Sequence, residues 1–372
     1  MIEHVASPPS SPTEHHPAPT SRESDVMMTE ITPFERDILE QPAALVRQSG
    51  YDLPSGIHEL VSRAWDRIIL TGMGSSHFAG IPTWRALIRR GLPAWAIDTG
   101  RLIDAPGLLT PNSLVVATSQ SGESAEIVEL LNRLGAGSIN VGALIGITDS
   151  VASSLGRSST LALDLRSGAE ATVSTKSYLN SLGVHARVAA AFTGGDDGGV
   201  RDELRSIADA VGSVISNVNL QPIAASIVAR PNRRIATIGL GDDGATALYA
   251  ALIAKEASKV PVEGFIGGQF RHGPFELAGK GMTAMLFGLR SAATPESIER
   301  LANDLVTTGA EVLVVGDILV EGAETVRSPP LSALGGLATD AVVAQLFAVA
   351  LARSNGVTPG SFAYGSKITT AL

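Results

Sequence analysis

The sequence holds no cysteine among its 372 residues. That excludes disulfide stapling, thiolate metal sites and cysteine-nucleophile chemistry together. Aromatic residues make up 4% and charged residues 17%. So few rings argue against an aromatic-rich β-sandwich, and so few charges leave much of the chain free to be buried. Excess positive charge is also lacking. The formal net charge is −9, which argues against a general nucleic-acid surface. No uninterrupted apolar run reaches the roughly 18 residues of a membrane helix. The best stretch, residues 341–352, contains Gln345 and reads as a buried helix. Lysine is scarce: of 28 cationic residues only Lys176, Lys255, Lys259, Lys280 and Lys367 are Lys. Arg is the default cation here, so each Lys is a candidate for chemistry that needs an amine.

What is present is aliphatic and small. Apolar residues reach 44%, with 39 Gly, in a chain too long for one ordinary domain; two or three are expected. Residues 1–26 are mostly Pro, Ser, Thr, His and Glu without apolar periodicity. They are expected to be a disordered tail in which His15 and His16 are solvated. The tail lacks a basic stretch followed by an apolar one, so it does not read as a signal peptide. Met27 and Met28 are candidate starts. A soluble cytoplasmic protein with no membrane partner is the expectation.

From residue 67 the pattern is strand, glycine loop, helix, repeated. Strands are expected at 67–70, 94–97, 113–117, 141–147 and 160–165. The first ends in Gly72-Met73-Gly74-Ser75-Ser76, before a helix to about residue 90. The third ends in Ser119-Gln120-Ser121-Gly122-Glu123-Ser124, before a helix to residue 134. The same grammar returns with strands at 234–238, 262–265, 283–289 and 311–315, where Gly239-Leu240-Gly241 takes the place of Gly72-Met73-Gly74. Helices over 200–230 join the two runs. Such alternation predicts parallel sheets covered on both faces, duplicated in tandem.

The segment 119–124 carries the most chemistry. A loop between a strand end and a helix start offers unpaired N–H groups and a positive dipole end, which suit phosphate. Three Ser hydroxyls and the Gln120 amide add neutral donors, and Gly122 permits close backbone approach. An ordinary cap with Ser and Glu is the alternative. Gly72-Met73-Gly74-Ser75-Ser76 is not a dinucleotide fingerprint, since its third glycine is out of register and no acidic ribose partner follows. In a flavodoxin-like sheet, however, the first and third strands are neighbours, and the two loops flank one crevice. Ser174-Thr175-Lys176 reads as a third hydroxyl loop, with Lys176 either adding charge or solvating a helix end. Glu256 lies on a helix whose Ala247, Ala250, Ala251, Ala254 and Ala257 form a small face; it is either solvated or turned into a pocket. His272, in Phe270-Arg271-His272-Gly273-Pro274, is placed for proton transfer if its loop faces a site. The His58, His77 and His185 spacing suggests no metal site. Lys367 is a rare Lys in a terminal segment with apolar anchors, and a desolvated Lys forms Schiff bases with carbonyls.

Together these residues resemble the sugar isomerase (SIS) domain family, and most closely the isomerase halves of glucosamine-6-phosphate synthases. Ser119–Ser124 resembles the SQSGET phosphate loop, with Ser for Thr at its end. Gly74-Ser75-Ser76 resembles the G-T-S loop and Ser174-Thr175-Lys176 the A-S-T-K element. Arg271-His272-Gly273-Pro274 and Lys367 resemble the K-H-G-P motif and the C-terminal lysine. Residues 34–45, with Glu40-Gln41-Pro42, resemble the lead-in helix.

The resemblance implies two tandem SIS domains, each a five-stranded parallel sheet in flavodoxin-like order with helices on both faces. Their expected limits are 27–200, including the lead-in helix, and 201–372. It implies that Ser75, Ser76, Ser119, Gln120, Ser121 and Ser124 hold a sugar phosphate and that Ser174 contacts the sugar. Glu256 would be the base moving a proton between C1 and C2. His272 would assist ring opening, often from a neighbouring subunit, so a homodimer is expected. Lys367 would touch or condense with the open-chain carbonyl.

Two departures stand out. A glutaminase domain with its Cys nucleophile is not expected, and Ile253 stands where the synthases carry a further lysine, three residues before the base. The implied activity is aldose–ketose isomerisation of a hexosamine 6-phosphate with loss of ammonia, needing no metal or organic cofactor. The alternatives are a deglycase of phosphorylated fructosamines and a non-catalytic sugar-phosphate-binding regulator.

Overall fold

The computed structural model describes residues 30–288, 295–327, 329 and 331–370. The expected tail at 1–26 lies outside the described residues. Five strands build the first sheet: β1 (Arg67–Gly72), β2 (Ala94–Ala96), β3 (Ser113–Thr118), β4 (Ala143–Thr148) and β5 (Leu161–Asp164). They run parallel in the order β2-β1-β3-β4-β5. The second sheet holds β6 (Arg234–Gly239), β7 (Glu263–Ile266), β8 (Met282–Phe287), β9 (Glu311–Val315) and β10 (Glu324–Val326). Its order, β10-β9-β8-β6-β7, is the same permutation read from the opposite edge. Both sheets are therefore flavodoxin-like, as expected. β3, β4 and β8 are buried at every position, the signature of strands covered on both faces. β10 was not expected: it is a three-residue edge strand, too short to show a pattern.

The helices follow from the same alternation. α1 (Pro33–Leu39), α2 (Gln41–Ser49) and α3 (Gly56–Ser62) precede the first sheet. α4 (Gly74–Arg89), α5 (Thr99–Asp104), α6 (Ala125–Gly135) and α7 (Ser154–Ser158) cover it. α8 (Lys176–Thr193), α9 (Asp197–Asn217) and α10 (Gln221–Val228) lead to the second half, which carries α11 (Gly244–Ser258), α12 (Pro295–Thr307) and α13 (Ala333–Ser354). The expected single lead-in helix is two. Thr32 and Glu35 form a reciprocal capping box at the start of α1. A second helix begins at Gln41 with Pro42 in its first turn, where a missing N–H costs nothing.

One cluster of buried side chains joins the two halves, built from α2, α8, α9, α11 and α13. The small face of α11 is used here: Ala247, Ala250, Ala251, Ala254 and Ala257 are all buried. Tyr178 of α8 stacks on Tyr249 of α11 with ring centroids 3.8 Å apart. α13 is longer than the expected 341–352. At 22 residues it is long and apolar enough to cross a membrane by length and composition, yet nearly all of it is buried inside the protein. Its Gln345 exchanges amide hydrogen bonds with Gln41 and donates to Tyr249 Oη at 2.9 Å. Tyr249 in turn donates to the Ser174 carbonyl at 2.6 Å. This chain of bonds pins α11 of the second half against the Ser174 loop of the first.

Candidate active site

The site forms where β1 and β3 lie side by side, at the switch point of the first sheet. Two glycines permit close approaches here, Gly72 to the end of β3 and Gly122 to the residue before α7. A Cβ on Gly72 would stand 2.7 Å from the Thr118 carbonyl, and one on Gly122, whose φ is +67°, would stand 2.1 Å from Ser153 Oγ. α4 then starts at Gly74 and α6 at Ala125, so two helix N-termini open on the same crevice. The capping alternative for the 119–124 loop does not hold. Ser124 makes no side-chain cap bond, and Glu123 is taken by the Ser154 N–H at 2.6 Å. Ser119 Oγ accepts from Gly122 N–H at 3.2 Å and lies 3.4 Å from Ser124 Oγ. Ser121 Oγ accepts from Glu123 N–H at 3.2 Å.

The resulting pocket has a volume of about 340 Å³. Ser75, Ser76, Ser119, Gln120, Ser121, Ser124, Ser174, Glu256 and Lys367 all line it, with Met73, Thr118, Leu252 and Ile368 among the remainder. Sequence reasoning named those nine from five separate stretches of chain. Lys367 is the one cation lining the pocket among the described residues. An anion bound here would rest on hydroxyls, backbone N–H groups and helix dipoles. The C-terminal segment forms one wall, and its Thr369 carbonyl accepts from Ala125 N–H at 3.0 Å at the start of α6.

The third hydroxyl loop works differently from the expectation. Lys176 adds no charge to the pocket and does not solvate a helix end. It is buried, ion-paired to Asp37 at 3.0 Å and Glu40 at 2.5 Å, and donates to the Ala169 carbonyl. Burial alone would lower its pKa, but these carboxylates outweigh it and the pKa is raised. The α8 N-terminus is also occupied. Glu170 accepts from the N–H groups of Thr175 and Ser177 and from both their hydroxyls. Its remaining partner is Lys367 Nζ, 2.5 Å from Oε2. Burial opposes the charged form of Glu170; Lys367 and the Ser177 and Thr175 hydrogen bonds overcome it and hold the carboxyl below its usual range. Glu170 is a residue the sequence reading missed, because an acid two residues after a glycine carries no signal of burial.

Glu256 reaches the pocket from α11 and is half-buried. Burial raises its pKa against the pull of Lys367, Lys259 and Lys255. Ile253 sits in the core and does not line the pocket. Asp149 braces the 119–124 loop. Its Oδ2 accepts from Gln120 Nε2 at 3.4 Å, and burial raises its pKa despite hydrogen bonds from Ser167 and Gln120.

His272 is not brought to this pocket. It is exposed on a turn of the second half, beside Arg271, which pairs with Asp304 at 2.7 Å. The second half's own glycine loop is closed by charge: Asp242 accepts from Arg85 at 2.5 Å and from Arg89 at 3.0 Å, both on α4. His77 and His185, remote in sequence, come near enough for His77 to add to the lowering that burial imposes on the His185 pKa. No group of three or more potential metal ligands occurs among the described residues.

Fold and site together define a tandem flavodoxin-like chain with a hydroxyl-lined pocket at the switch point of its first sheet. The chain belongs to the SIS domain family, which matches residues 63–189 and 229–353. It is 30% identical over 313 residues to a glutamine–fructose-6-phosphate aminotransferase (isomerizing) of Aeropyrum pernix, covering 79% of this chain and 47% of that protein. The chain thus spans about half the length of the curated relatives it matches. Among solved structures it resembles the C-terminal domain of glucosamine-fructose-6-phosphate aminotransferase from Francisella tularensis. There the TM-score is 0.77 at 20% identity, over 90% of this chain and 99% of that one. It also resembles a glucosamine-6-phosphate deaminase from Thermotoga maritima, with a TM-score of 0.68 at 21% identity over 91% and 99%. At such identities these structures speak for the fold.

Proposed function

We propose that the pocket takes an open-chain hexosamine 6-phosphate and converts it, with water, to the ketohexose 6-phosphate and ammonia. The observation that carries this reading is the pocket's composition: a hydroxyl loop at two helix N-termini, the half-buried Glu256 carboxylate with its raised pKa, and one ion-paired amine. The phosphate rests on Ser76, Ser119, Gln120, Ser121 and Ser124. Glu256 takes the proton from C2, giving an enolamine, and returns it at C1. Water then adds to the resulting imine carbon and ammonia leaves. Burial that raises the Glu256 pKa suits it to both halves of this transfer. Lys367, held by Glu170, hydrogen-bonds the substrate oxygen at C1. A Schiff base at Lys367 would require its ion-pair proton to leave first. His272 assists ring opening from a second copy of the chain in a homodimer. The deaminase and aminotransferase names among the similar proteins support a sugar-phosphate substrate.

The test is an ammonia-release assay across a panel of hexosamine 6-phosphates and phosphorylated fructosamines. Ammonia from a hexosamine 6-phosphate is the expected result. Release of an amino acid from a fructosamine would replace this reading by a deglycase. Binding without turnover of any member would leave a sugar-phosphate-binding regulator.

A further inference from the structure

Thr118, the last residue of β3, lines the pocket floor yet belongs to none of the hydroxyl loops. Strand alternation turns its side chain to the same sheet face as Leu114 and Val116, the face covered by α8, where Val184 and Val188 pack. There it meets His185: Thr118 Oγ1 lies 2.9 Å from the ring Nε2. The imidazole is enclosed, at 2% exposure. Gly80 on α4 leaves it room, since a Cβ there would stand 3.4 Å from Cε1. Thr83 Oγ1 fixes the backbone at the same residue by donating to the His185 carbonyl at 2.8 Å. The other ring nitrogen, Nδ1, has no hydrogen-bond partner among the described residues.

That orphan decides the tautomer. A buried N–H without an acceptor is rarer and costlier than an unused lone pair. Nδ1 is therefore the bare nitrogen, and Nε2 carries the hydrogen. Thr118 Oγ1 then has to accept from Nε2, and its own proton is left to point elsewhere. No other protein partner takes that proton among the described residues, and the pocket lies next to it.

We propose that His185, by donating from Nε2, commits the Thr118 hydroxyl as a fixed donor to the bound phosphate, making Thr118 a substrate-binding residue and His185 a positioning residue. The inference rests on the phosphate reading of the pocket and adds a donor from beneath it, outside the three loops. A hydroxyl free to rotate would divide its time between donating and accepting. One whose acceptor role is already filled donates only, which is what an anion requires.

The test has two arms on the full chain. ¹⁵N NMR of the His185 ring should show protonated Nε2 and bare Nδ1 at neutral pH, with or without phosphate. A protonated Nδ1 would overturn the proposal whatever the variants do. In the second arm, binding of inorganic phosphate and fructose 6-phosphate is measured for Ser121→Ala, Thr118→Val and Thr118→Ser. Loss of one donor to a charged group should weaken binding about tenfold or more in Thr118→Val, while Thr118→Ser binds as wild type does. Normal binding by Thr118→Val beside weakened Ser121→Ala would overturn the inference and leave the phosphate reading standing. Equal loss in Thr118→Ser and Thr118→Val would assign the effect to packing and overturn it as well. Unchanged binding in both Ser121→Ala and Thr118→Val would bring down the phosphate reading and the inference together.

Discussion

Lys367 Nζ lies 2.5 Å from Oε2 of Glu170, whose side chain is wholly enclosed. The pair ties the C-terminal segment to the loop that starts α8, and it orients the one amine in the pocket. Glu170→Gln keeps an acceptor for Thr175 and Ser177 but removes the charge that faces Lys367. Breaking a buried pair costs about 3–5 kcal/mol, and partial exposure of Lys367 brings the expected loss to roughly 2 kcal/mol. The folded-state pKa of Glu170 is depressed. Its contribution is therefore present above the unfolded-state carboxylate pKa and disappears as pH falls through the folded one. Urea unfolding at pH 7 and at pH 3 checks both points: the variant's deficit should be present at pH 7 and shrink at pH 3. A deficit that is the same at both would remove the ion pair from the explanation.

The loop serines should govern affinity. Ser121→Ala removes one donor to a charged phosphate, worth about 1.5–3 kcal/mol. KM for the sugar phosphate should rise, with a smaller change in kcat, because the phosphate is held alike in ground and transition states. Steady-state kinetics of Ser119→Ala and Ser121→Ala decide it. If neither moves KM, the phosphate lies elsewhere.

Glu256 should govern chemistry. Glu256→Gln should lower kcat by on the order of 10²–10⁴ while substrate still binds. Because burial raises its pKa, the acid limb of the kcat/KM profile should fall above the ordinary carboxylate range. The base is lost as pH drops through that raised value. A variant with full activity would sink the proton-transfer mechanism.

His185 also makes a prediction about stability. Burial lowers its pKa from 6.5 to about 4. Between those values the unfolded chain binds a proton that the folded one refuses. Stability is therefore full above pH 6.5 and is lost on acidification, by about 3 kcal/mol at pH 4. In His185→Phe that part of the acid slope should vanish. Chemical unfolding at pH 7 and pH 4 for both proteins measures the difference; identical slopes would show that the ring is not buried neutral.

Much of this was legible because strand order, glycine loops and hydroxyl spacing leave local marks. Ser119–Ser124 announces itself by composition, and β1 and β3 by apolar runs ending in glycine. What stayed hidden depends on partners far away in the chain. Lys176 looks like a phosphate lysine until Asp37 and Glu40, more than a hundred residues earlier, claim it. Glu170 is an ordinary loop acid until Lys367 arrives from the other end of the chain. Asp242 stands in a loop that repeats Gly72-Met73-Gly74 in pattern, yet its charge pairs with Arg85 and Arg89 of α4. Glu256 could be weighted toward function only through the family resemblance. Helical spacing does not distinguish a solvated carboxylate from one turned into a cleft.

The part proposed for His272 in ring opening depends on a second chain. His272 is exposed and outside the pocket of its own chain, so a role in ring opening requires a second copy to present it. That arrangement has a quantitative consequence. In a dimer with shared sites, Glu256→Gln spoils the base in one pocket and His272→Ala spoils the partner's. Each variant alone should be nearly inactive. Mixing the two by unfolding and refolding together makes half of the dimers heterodimers. In each heterodimer one pocket combines an intact Glu256 with an intact His272 and the other lacks both. Activity should return to about a quarter of the wild-type value. Recovery to that level, with light scattering showing the dimer, supports a pocket completed across subunits. Mixtures that stay inactive, or an active monomer, would confine the chemistry to the pocket of one chain and leave His272 without a part in it.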